Sequence, residues 1–248
     1  MADRPILFSA PMVRALLEGR KTQTRRILSK ARVFATPERP AFTLKGEHMS
    51  RALQAASGFR HLHGDGWFWE CDALEWQAPA TRTGVMAHIG YAVGDRLWVR
   101  ETHGFNHYEY ERGKAPKVRP DDLDDLHISY RADEYDREIR SELLYRPSIF
   151  MPRWASRLTL TVTDVRVQRL QDCSEADALA EGIEARGVGS LWGWIDYLET
   201  NPNVTRHFAD PRRSYASLWD SINGDGAWDA NPWVVAVSFD VRKGNIDG

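Results

Sequence analysis

The run Glu18-Gly19-Arg20-Lys21-Thr22-Gln23-Thr24-Arg25-Arg26 sets four cations among two threonine hydroxyls and one amide. Immediately upstream, Met12, Val13, Leu16 and Leu17 fall on one face of a short helix. Pro11 sits where a first-turn proline is tolerated, and Gly19 follows the last periodic residue, where a helix stop belongs. A helix that ends in a tight turn holds the start of the cationic run rigidly, and phosphate or another anionic oxygen is its natural partner. A solvated surface turn is the competing reading of the same charges. Beyond the turn, Thr22 to Leu28 reads as extended, with Thr22, Thr24 and Arg26 sharing one face. Lys21 and Thr24 then lie on opposite faces unless Lys21 belongs to the turn before the strand.

The chain has 248 residues and a formal net charge of −2, so any affinity for nucleic acid must be local. The two cysteines, Cys71 and Cys173, lie far apart and outside any CxxC pair. That argues against a disulfide framework or a thiolate zinc site and fits a reducing compartment. No apolar run reaches the length of a membrane span, and Met1-Ala2-Asp3-Arg4 leads into a strand-like Pro5-Ile6-Leu7-Phe8, not a signal peptide. A cytoplasmic location is expected. Ten tryptophans are many for this length, concentrated in Trp67-Phe68-Trp69 and Trp192-Gly193-Trp194. Aromatics can stack on bases, yet most tryptophans fill cores.

Further along, Gly94-Asp95 is a turn pair that launches the strand Arg96-Leu97-Trp98-Val99-Arg100-Glu101. Leu158, Leu160 and Val162 share a face, and the phase then slips to Val165 and Val167, which implies a bulge near Thr163-Asp164. Ser174-Glu175-Ala176-Asp177 resembles a capping box, opening a helix whose stripe is Ala176, Leu179, Ala180 and Ile183. A further helix over 213–222 has Tyr215, Leu218, Trp219 and Ile222 as its buried side, and Trp233 to Val241 alternate in a last strand. Residues 29–90 and 104–127 read as two insertions on a single domain, the first holding one hairpin around Trp67-Phe68-Trp69 and the second a solvated Asp121 to Asp125 loop. Strands with scattered helices favour an α+β class with a small, barrel-like sheet.

These residues carry a resemblance. Ile6-Leu7-Phe8, the helix, Gly19 to Arg26, Val93-Gly94-Asp95-Arg96-Leu97-Trp98-Val99-Arg100-Glu101-Thr102, Tyr130 to Asp133, Val165 to Asp172 and Asn231-Pro232-Trp233 together resemble the ASCH domain family of the PUA-like superfamily, especially its longer phage and prophage members. The resemblance implies a small β-barrel with flanking helices, whose cleft carries the Lys-Thr block. It also implies RNA or nucleotide binding, with Arg20, Lys21, Arg25, Arg26 and Arg100 as the cationic contacts. Some small bacterial members are amidohydrolases that remove the acetyl group of N(4)-acetylcytidine, using a lysine, a threonine three residues later and a glutamate from a later strand. Lys21 and Thr24 match, but the strand expected to bear the glutamate has Thr161.

Glu101 is the residue-based replacement. Strand alternation puts it on the inward side with Leu97 and Val99, where a carboxylate is costly unless paired or functional. Its two readings are catalysis beside Lys21 and Thr24, and an ion pair with an arginine such as Arg26. In the catalytic reading Thr24 is the nucleophile or positions water, while Lys21 is a base whose proton affinity falls through crowding by Arg20, Arg25 and Arg26. His61-Leu62-His63 with Cys71 has partial zinc-ligand spacing but no second pair, so neither a metal nor a cofactor is expected. Nucleic acid binding is the leading reading, hydrolysis of an amide or a phosphodiester the alternative. A protein partner on the Trp-rich insertions is a third.

Overall fold

The computed structural model describes residues 1–28, 90–106, 127–133, 145–188, 191–199, 201 and 206–248, with the backbone of five short strands between 31 and 87. In chain order the first half holds β1 (Asp3–Leu7), α1 (Ala10–Leu17), β2 (Gln23–Ile27), β3 (Ala31–Val33), β4 (Phe42–Leu44), β5 (Gly58–Leu62), β6 (Gly66–Glu70) and β7 (Val85–Ala87). There follow β8 (Arg96–Arg100), β9 (His103–Asn106), β10 (His127–Tyr130), β11 (Leu158–Arg169), α2 (Glu175–Ala180), β12 (Ala185–Val188), β13 (Leu191–Ile195), β14 (His207–Phe208), α3 (Pro211–Asn223) and β15 (Trp233–Lys243). The class is mixed α+β and mostly sheet, with three α-helices among the described residues. No helix among them is long and apolar enough to cross a membrane.

The central sheet has the order β1-β8-β11-β15-β2, with β1 parallel to β8 and every other pairing antiparallel. The expected barrel does not close. Among the described residues no ladder joins β1 to β2, and the two edges are tied instead by the Arg26 Nη2 donating to the Leu7 carbonyl at 2.7 Å. α1 connects those edge strands and buries Met12, Val13, Ala15 and Leu16 against the core. The bulge in β11 falls where the hydrophobic phase slips, between Val162 and Asp164. β15 departs from simple alternation: Val234 and Ala236 are buried along with Val235 and Val237, because a strand inside the sheet is covered on both faces.

α3 buries Tyr215, Leu218 and Trp219 as expected, but Ile222, in its last turn, is 64 % exposed and lies beyond the core. α2 departs further. Its capping box forms, with Ser174 Oγ accepting from the Asp177 amide at 3.1 Å, but Ala178 and the following Ile183 are buried while Ala176 and Leu179 are exposed. In the 29–90 region the backbone forms more than one hairpin: β4-β3-β7-β6-β5 make a second five-stranded sheet, with Trp67, Phe68 and Trp69 on β6 paired to β5. The expected Asp121 to Asp125 loop, His63, Cys71 and His107 lie outside the described residues.

Candidate active site: a buried lysine–glutamate pair

The turn after α1 decides where Lys21 goes. Gly19 takes a left-handed backbone with φ 73°, and the amides of Arg20 and Lys21 both donate to the Ala15 carbonyl, at 2.9 and 3.0 Å. Lys21 therefore lies just before β2, bridged to Glu181, while the Thr22 amide donates to Ala180 at 2.9 Å. Two helix ends are thus sewn to the start of one strand.

The Lys21 side chain is 2 % exposed, and its Nζ donates to both the carbonyl and the Oε2 of Glu181, at 2.8 and 2.9 Å. Arg25 Nη1 donates to the other oxygen, Oε1, at 3.1 Å, and the buried Tyr215 hydroxyl completes the set on the same carboxylate. Arg25 also pairs with Asp177, Nη2 to Oδ2 at 3.2 Å. Asp177 in turn accepts from Gln23 Nε2 at 3.1 Å, Arg166 Nη2 at 2.9 Å and the Ser174 amide at 3.1 Å. Alternation along β2 thus aims Gln23 and Arg25 at α2, and Asp177 and Glu181, one helical turn apart, answer them.

Burial pushes the Lys21 ammonium below its ordinary value, and Arg25 and Arg26 add to the push while Glu181 opposes it. Burial would raise the Asp177 carboxyl, yet hydrogen bonds from Arg166 and Ser174 hold it down at about 2. Burial sends the Tyr215 phenol well above its ordinary value, and Glu181 adds to that rise. Such a pair is expensive to bury and persists only with its oxygens and protons met by hydrogen bonds, as they are at Glu181.

The remaining site candidates fall in several places. Thr24 is buried on β2 in register with Val237, on the side of the strand opposite Gln23 and Arg25. Arg26 leaves on that side, and its guanidinium carbon and the Lys21 Nζ both lie over the Phe8 ring, at 5.4 and 5.6 Å. Phe8 thus joins the two sides at the sheet edge. Arg20 binds the chain itself: Nε donates to Glu18 at 2.7 Å, Nη1 to the Gly182 carbonyl at 2.6 Å, and Nη2 lies 3.7 Å from Glu184. Arg100 Nε donates to the Met151 carbonyl at 3.1 Å, away from the post-helix cations.

Glu101 does not orient Lys21. It is buried and clamped by Arg157, Nε to Oε1 at 2.8 Å and Nη2 to Oε2 at 3.0 Å, so the ion-pair reading holds with a different arginine from the one anticipated. Burial raises its carboxyl above the usual range despite that pairing. Thr161, expected near the missing glutamate, is exposed on β11 and paired with Arg96 and Asp240. The carboxylate that meets Lys21 comes from the end of a helix, not from a strand. Its signal in the sequence was Ser174, Asp177 and Glu181 at helical spacing, a polar stripe on a helix otherwise read by its apolar residues.

This arrangement can hold an amine and a carboxylate in one buried, hydrogen-bonded unit, with a hydroxyl three residues along the chain. No family model matches the chain, and no curated protein or solved structure is significantly similar to it. Among the described residues no cluster of histidine, cysteine and acidic side chains is suited to a metal ion.

Proposed function

We propose that this chain is an ASCH-type protein acting on modified nucleosides, and that its reaction is hydrolysis of an N-acyl group of the kind carried by N(4)-acetylcytidine, with Lys21, Thr24 and Glu181 as the reacting set. One observation carries the reading: the Glu181 carboxylate meets the Lys21 ammonium at 2.9 Å in a buried setting, supplying the third group that the Lys-Thr block requires. The open sheet, with α1 joining its edge strands, is compatible with a PUA-like framework, and a cytoplasmic location goes with such a substrate.

The proposed chemistry is ordinary amide hydrolysis. The Thr24 Oγ, or a water it places, adds to the acyl carbonyl while its proton passes to the Lys21–Glu181 unit. The C–N bond then breaks, and the same unit returns the proton to the departing cytosine amine. If Thr24 itself is acylated, water repeats the sequence and releases acetate. Arg25 and Tyr215 hold the carboxylate in place throughout, and the lowered proton affinity of Lys21 suits both receipt and return of the proton.

Nucleic acid capture by the post-helix cations is the less supported reading. Arg20, Lys21 and Arg25 each already face a glutamate or aspartate of the chain, which leaves little free charge for phosphate. Incubation with N(4)-acetylcytidine, followed by chromatography, tests the proposal. Cytidine and acetate are expected in equal amounts, with Lys21→Met and Thr24→Ala slower by about two to four orders of magnitude. A folded wild-type protein that releases no acetate contradicts it.

A further inference from the structure

We propose that the turn Ser148–Phe150, flanked by Arg100 and Arg146, is a docking surface for single-stranded nucleic acid, the two guanidiniums taking backbone phosphates and the Phe150 ring taking a base. Ile149 and Phe150 are 54 % and 52 % exposed, an unusual display for two large apolar side chains in succession. The Arg146 guanidinium lies 5.2 Å from the Phe150 ring centroid, and Arg100 reaches the other end of the turn through its bond to the Met151 carbonyl. Neither guanidinium has a carboxylate partner among the described residues. The nearby acids are already taken, since Arg157 holds both Glu101 and, through Nη1 at 2.7 Å, Asp133.

His103 ties the two arginines together. Its backbone is bridged to Arg146, with the Arg146 amide donating to the His103 carbonyl at 2.8 Å. Burial lowers the His103 pKa, and the charges of Arg146 and Arg100 push it the same way, so both guanidiniums bear on a neutral imidazole. Its Nδ1 faces the Glu101 carbonyl at 3.0 Å, and its buried Nε2 has no partner among the described residues. The chain therefore gathers positive charge here without answering it, unlike the post-helix cluster. An exposed ring already stacked with a guanidinium offers a π-face to an unpaired base, while a duplex hides its bases. An acidic peptide would use the charge but not the ring.

The inference is independent of the hydrolase reading, because these residues lie outside the Lys21–Glu181 site. Fluorescence anisotropy with a short labelled oligouridylate, repeated with oligothymidylate across a salt series, tests it. Wild type should bind either probe saturably. Arg100→Gln and Arg146→Gln should each reduce the slope of log affinity against log salt by about 0.7, one phosphate contact on a single strand. Phe150→Ala should weaken binding roughly five- to 150-fold, and Phe150→Trp should retain it. Lys21→Met should bind like wild type. Failure of wild type to bind either probe overturns the proposal. So does wild-type affinity and slope in the surface variants Arg146→Gln and Phe150→Ala, or a loss in Lys21→Met equal to theirs. Competition by polyglutamate with no effect of Phe150→Ala would assign the surface to an acidic peptide and overturn it equally.

Discussion

Lys21 and Glu181 are 160 residues apart in the chain, yet an ammonium nitrogen of one lies 2.9 Å from a carboxylate oxygen of the other. The same carboxylate also serves Arg25 and Tyr215, so one side chain answers three donors drawn from the start of β2 and from α3. The pair is both the proposed reactive unit and a clasp between α2 and β2, and its two roles can be separated by measurement.

Loss of the carboxylate should be more damaging than loss of the amine. Glu181→Ala leaves Lys21 and Arg25 buried without their shared counter-charge, a change of about 3–5 kcal/mol in unfolding free energy. Lys21→Met leaves Glu181 still paired with Arg25 and Tyr215 and should be milder. In a double-mutant cycle read by urea unfolding, Glu181→Gln with Lys21→Met should be less destabilised than the sum of the single variants. Strict additivity would mean that the two side chains do not interact in solution.

Gly182 should tolerate no side chain. Its φ is +86°, and a Cβ there would lie 2.8 Å from Lys21 Cβ and 2.9 Å from Ala15 Cβ. Gly182→Ala combines a left-handed alanine with a clash in the core, together about 2 kcal/mol or more. Because the clash is with Lys21 itself, the variant should also lose activity out of proportion to the fraction unfolded. A thermal midpoint equal to wild type would contradict the placement of the α2 terminus.

Asp177 gives the acid limb of stability a definite window. Its folded pKa, about 2, lies below the unfolded value of roughly 3.9, so the contribution is complete above the unfolded value and is lost as pH falls through the folded one. Urea midpoints measured from pH 5 to about 2 should fall more steeply for wild type than for Asp177→Asn, which has no proton to gain. Parallel curves would show that Arg166 and Ser174 do not hold the carboxylate as drawn.

The strand pattern was legible because each strand buries one apolar face. Leu158, Leu160 and Val162, the phase slip at Thr163-Asp164, and the inward Glu101 all read correctly from alternation. α2 did not, because its inward face is polar: Asp177 and Glu181 point at Gln23, Lys21 and Arg25, and an apolar-stripe argument chooses Leu179 and places it wrongly. Closure of the sheet was equally hidden. Whether β1 and β2 pair depends on their separation across α1, which no period in either strand records, and the answer is one arginine bridge from Arg26 to Leu7. The partner of Glu101 was missed for the same reason. Arg157 immediately precedes β11, and nothing local in sequence links it to the end of β8.

Glu101 and Glu181 are both buried and arginine-paired, but only Glu181 touches Lys21. The most direct test of the account is therefore the single-turnover rate of acetate release from N(4)-acetylcytidine by Glu181→Gln and Glu101→Gln, each corrected for its folded fraction. The account predicts a loss of about two to four orders of magnitude in Glu181→Gln and a rate near wild type in Glu101→Gln. A rate that survives in Glu181→Gln and collapses in Glu101→Gln would contradict it.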